Sequence, residues 1–147
     1  METREIPGIP ILLREARGAY GAQIRSYIAD ANFPPLPLNG ALILGGLHEG
    51  VVPFDQLVHQ RRKSIERYRT IEQLFADGYL EGEAGSPILS PKGHEAAHIM
   101  FEAVSDLTES LEGELGVEGM QSFLRGMLFL IETKESIEDE QHSTSTD

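Results

Sequence analysis

Residues 61–82 read RRKSIERYRTIEQLFADGYLEG, and the fold turns on how they are read. Positions 61–69 hold five basic residues and one acidic, inside a chain of formal net charge -12. On a helix of about 100° per residue, Ile65, Tyr68, Ile71, Leu74 and Phe75 gather on one side. Arg62, Glu66 and Arg69 then face away, with Lys63 and Arg67 on the flanks. The helix is predicted over 63–76, with Ser64 suited to cap its start and Asp77-Gly78 to end it. YLEG (79–82) and PILS (87–90) read as two short strands around an EAGS turn, with the proline suiting an edge strand.

Working outward, residues 1–10 hold two prolines and a glycine and read as an extended arm. Leu12, Leu13, Ala16, Tyr20, Ile24, Tyr27 and Ile28 recur at spacings of three and four, predicting a helix over 11–31. NFPPLPLN (32–39) stops it, because proline lacks the amide hydrogen a helix needs. A second helix is expected over 38–48, with Gly50 as its cap, and a short one over 54–60 opened by Pro53. Beyond the hairpin, helical spacing resumes over 92–115, breaks at glycine, and returns over 117–133. ESIEDEQHSTSTD (135–147) is polar and acidic, and is expected to be a disordered tail. The predicted class is mainly α with a small β-hairpin. Three short helices before a hairpin are the parts of a winged helix-turn-helix, and the flanking long helices carry more apolar face than that core covers. Such a stripe commonly closes on a second copy.

A length of 147 residues suits one domain with a real core. Cysteine is absent, which excludes disulfides, thiolate metal sites and thiol nucleophiles. No stretch is long and apolar enough to span a membrane, and METREIPG places acids where a secretion leader carries basic residues. A cytoplasmic protein without membrane partners is expected. Charge is unevenly distributed. Residues 1–60 hold four basic and six acidic side chains, and residues 70–147 three basic and seventeen acidic. A local basic patch still acts within a Debye length of roughly 10 Å, so an acidic chain can bind DNA through one surface. Such binding is strongly salt-sensitive.

The candidate DNA contacts are Arg62, Lys63, Ser64, Glu66, Arg67 and Arg69. An arginine fork matches guanine O6 and N7 and pairs well with phosphate. Ser64 and the first helical amides suit phosphate, and Glu66 can accept from cytosine N4 or pair with a neighbouring arginine. The bland alternative is a solvated helix face. The hairpin adds no cation: none lies between Arg69 and Lys92, while Glu81 and Glu83 flank its turn. HEAAH (94–98) satisfies the HExxH pattern, in which His94 and His98 would hold zinc beside Glu95 as general base. An exposed histidine pair is the plainer reading, because Glu112, Glu114 and Glu118 offer third ligands that nothing singles out. No phosphate loop or Ser/His/Asp set is present, so neither catalysis nor a cofactor is expected.

The order and spacing of these segments resemble the MarR family of winged-helix regulators. LLREARGAYGAQIRSYIADANFPPLPLNGALILGGLHEG (12–50) resembles the family's first two helices, and 61–82 its recognition helix. ILSPKGHEAA (88–97) looks like the second wing strand and the step into the long helix. ESLEGELGVEGMQSFLRGMLFLIE (109–132) resembles the paired dimerisation helices. The likeness covers about 11–133 and implies a single domain over 11–134. Its winged helix-turn-helix would lie at about 38–91, between dimerisation helices at 11–31 and 92–133. It implies a homodimer that regulates transcription by binding double-stranded DNA, one recognition helix per half-site, with a small-molecule effector held near Tyr20, Tyr27, Phe33 and Leu44. The family's wing is longer and carries arginine at its tip, so wing contacts do not transfer to EGEAGSP (81–87). That departure, together with a net charge of -12 that is heavy for a DNA binder, keeps open a MarR-like module that binds a protein partner instead of DNA.

Overall fold

The computed structural model describes residues 5–37, 39–49 and 64–143, with the backbone alone at 49 and 64–67. It is mainly α-helical with one small hairpin, and divides into two compact units, 1–107 and 108–147. The expected short helix over 54–60 lies outside the described residues, as do Arg62 and Lys63.

Helix α1 (Ile9–Asp30) begins two residues before the expected start. Pro10 falls in its first turn, where the missing amide hydrogen costs nothing. The helix ends before the prolines. Asn32 takes a left-handed φ of 63°, while its amide donates to Ala29 O and that of Phe33 to Ile28 O. These are the paired bonds of a Schellman cap. Asn39, at φ 64°, precedes α2 (Gly40–Glu49), which buries Ile43 and Leu44.

Helix α3 (Ser64–Ala76) closes by the same device with glycine in place of asparagine. Gly78 has φ 83°, its amide donates to Phe75 O, and the Tyr79 amide donates to Leu74 O. Ile71 and Leu74 are buried and Phe75 is half-buried, as expected, but Tyr68 is 51% exposed. Buried Thr70, not Tyr68, completes the inward face, so the stripe is rotated toward the residue before Ile71.

Strands β1 (Leu80–Glu83) and β2 (Ser86–Leu89) pair antiparallel, Leu80 opposite Leu89 and Glu83 opposite Ser86. Both leucines are buried, which fixes the register. Each strand lies one residue from its expected position. Helix α4 (Pro91–Ser143) follows at once. The Ser90 hydroxyl caps it by accepting from the Gly93 amide at 3.0 Å, and donates to Gly78 O. A single side chain thus ties the end of α3 to the start of α4.

The core of the first unit gathers Ile28, Ile43, Leu44, Leu74, Tyr79, Leu80, Leu89 and Met100. The glycine-marked break appears at Gly116 (φ 73°, ψ 174°). Beyond it the helix runs through Ser143, where a disordered tail was expected. Residues 135–143 are exposed throughout, and a Lys134–Glu138 ion pair at 3.7 Å spans one turn where that stretch begins. Extending an existing helix adds a hydrogen bond per residue without a new nucleus, so a polar sequence can follow an apolar one. Among the described residues no helix is long and apolar enough to cross a membrane.

Candidate nucleic-acid interface and an apolar cleft

The exposed side of α3 forms because its opposite side is anchored by Thr70, Ile71 and Leu74. Arg69, Glu72 and Gln73 are exposed. Of the six expected DNA contacts, Arg69 is the one whose side chain is described, and it lies outward as expected. Ser64, Glu66 and Arg67 stand in the first turn of α3 by their backbone positions.

The corner behind α3 is closely bonded. Tyr79 is buried against Phe33, ring centroids 6.3 Å apart, and Lys92 Nζ lies 4.5 Å from the Tyr79 ring centroid. That ammonium also donates to Asp77 O at 2.7 Å. The Lys92 cation is therefore spent on the end of α3 and the tyrosine face. The Tyr79 hydroxyl is buried without a hydrogen-bond partner, and its pKa is raised by burial and then by Asp77. In the hairpin itself Glu81 and Glu83 are exposed, leaving an acidic surface beside α3.

A cleft of about 600 Å³ opens between α1 and the proline-rich connection to α2. Ile24, Ile28, Phe33 and Leu36 give it apolar walls, and Arg25 contributes a guanidinium. Of the residues expected near an effector, Phe33 lines this cleft and the others do not. Leu44 is wholly buried in the core. Tyr27 donates from its hydroxyl to Asp106 Oδ2 at 2.5 Å, linking α1 to α4. That bond, with lesser contributions from burial and nearby carboxylates, raises the Tyr27 pKa. Sequence reading missed Ile24, Ile28 and Leu36 as walls; the signal was NFPPLPLN, whose prolines hold the chain extended beside a helix rather than only ending it.

The histidines of HEAAH do not converge on a third ligand. His98 Nε2 lies 3.1 Å from Glu102 Oε1, while His94 stands edge-on to His48 of α2. Among the described residues no group of three or more His, Asp or Glu side chains is arranged to hold a metal ion.

No protein-family model matches the chain, and no curated protein matches it. In the arrangement of its backbone the chain is similar to the crystal structure of ligand-free NadR, at a TM-score of 0.71 and 21% identity over 90% of this chain and 99% of that one.

Proposed function

We propose that the protein is a MarR-like winged helix-turn-helix regulator that binds double-stranded DNA as a homodimer. The observation that carries this reading is the setting of α3. The helix is pinned by buried Thr70, Ile71 and Leu74, holds Arg69 outward, and continues the segment that begins with Arg61, Arg62 and Lys63. In this reading Arg62 and Arg69 meet base edges or phosphate, Lys63 and Arg67 meet phosphate, and Ser64 and the first amides of α3 support them. The acidic hairpin supplies shape and no cation. In this reading an effector occupies the apolar cleft, oriented by Arg25.

Binding to the DNA upstream of its own gene, and to a random duplex pool, tests the reading across a salt series. Affinity is expected to fall steeply with salt, as counterions leave the phosphates. Arg69→Ala is expected to cost about 1–3 kcal/mol and relax preference at one base step if it reads a base. If it meets phosphate, it weakens all sites alike and lowers the salt slope by about one. No salt-sensitive complex on either DNA sinks the proposal. The exposed Glu81 and Glu83 beside α3 would then favour the second reading, a module whose mixed-charge face binds a protein.

A further inference from the structure

The HEAAH motif places two histidines one turn apart on α4, and the fold gives them different neighbours. His98 turns along its own helix to Glu102. His94, in the first turn of α4, meets His48, in the last turn of α2; the ring centroids lie 6.3 Å apart with planes inclined at 66°. The two residues lie 46 positions apart in sequence on different elements, and both side chains are exposed.

We propose that His48 and His94 together form a two-imidazole site for a borderline divalent cation of the zinc, nickel or copper type, clamping the end of α2 to the start of α4. An imidazole nitrogen binds zinc at about 2.0–2.1 Å, which places each ring centre about 3.2 Å from the ion. Two such rings are then about 5 Å apart at a tetrahedral angle and about 6.4 Å apart when opposed. The observed 6.3 Å falls at the wide end of that range, and rotating an exposed side chain closes it. The backbones are held in place to receive the ion: Ile43 and Leu44 bury α2, while Ala96 and Ala97 bury the first turns of α4. The His94 amide also donates to Ser90 O at 2.9 Å. Imidazole from two elements selects these ions over calcium or magnesium, which prefer oxygen, and the chain has no thiolate to compete. Water completes the coordination. The site does not depend on the proposed DNA binding.

Calorimetric titration of the untagged full chain with Ni²⁺ and with Zn²⁺ tests the site without reference to DNA. One equivalent per chain is expected. His48→Ala and His94→Ala should each weaken binding by at least about tenfold. His98→Ala and His142→Ala should leave it unchanged, and circular dichroism establishes that each variant is folded. If His48→Ala is harmless while His98→Ala abolishes binding, the ion sits on HEAAH alone and the proposal is overturned. Absence of binding by the unaltered chain overturns it equally.

Discussion

Gly93 shows how one residue can hold a corner of this fold. It is the third residue of α4, buried where that helix passes the Tyr79 carbonyl, and a Cβ there would collide with that oxygen. The obstacle is backbone within the Ser90–Gly78 corner, so it cannot swing away as a side chain would. Gly93→Ala is therefore expected to cost about 1–3 kcal/mol in urea unfolding, as overpacking does. Gly113→Ala, later in the same helix with nothing beyond the local helix backbone within 4 Å of the added methyl, should be neutral or gain up to about 1 kcal/mol. Sequence alone could not separate these two glycines. Both lie in helical pattern, and the difference is the Tyr79 carbonyl in the turn between α3 and β1.

At the scale of elements, the ends of α1 and α3 and the break in α4 were legible, whereas α4 runs on through Ser143 where a disordered tail was expected. Asp77-Gly78 marked the end of α3, and the glycines near 116 marked the break in α4, because left-handed φ values favour glycine for local steric reasons. Gly116, with φ 73° and ψ 174°, occupies backbone space that is essentially restricted to glycine. Alanine there should abandon the break and let the helix run straight. Spin labels on cysteines introduced at 110 and 132 of this cysteine-free chain would report it. A continuous helix places them about 33 Å apart along the axis, and the unaltered break should bring them closer. Less legible was the rotation of α3. The stripe drawn through Tyr68 missed Thr70, because periodicity gives an apolar arc but not which edge of that arc the neighbouring elements cover.

For the whole molecule, the informative surface is the apolar one that the single chain leaves uncovered. Phe123, Leu124, Leu128, Phe129 and Ile131 are all exposed in the second unit, with Phe129 at 66%. Ile9 and Leu12 are exposed at the start of α1. Exposure on that scale fits the proposed pairing with a second copy. Phe129→Glu should place a charge in the shared face and convert a dimer to monomer in sedimentation velocity, with first-unit unfolding little changed. A chain that sediments as a monomer without the substitution would remove the dimer from the proposed function.

The sequence by itself determined where α1 and α3 stop, the break before Val117, the hairpin and the concentration of positive charge on one segment. Each of these follows from local covalent and steric rules acting over a few neighbouring positions. Only the tertiary structure decided that Lys92 is committed to Tyr79 and Asp77, that the proline segment forms a cleft with α1, and that His94 faces His48 rather than a partner within HEAAH. Those depend on which faces meet when the elements pack, and a spacing along one chain carries no record of the face opposite.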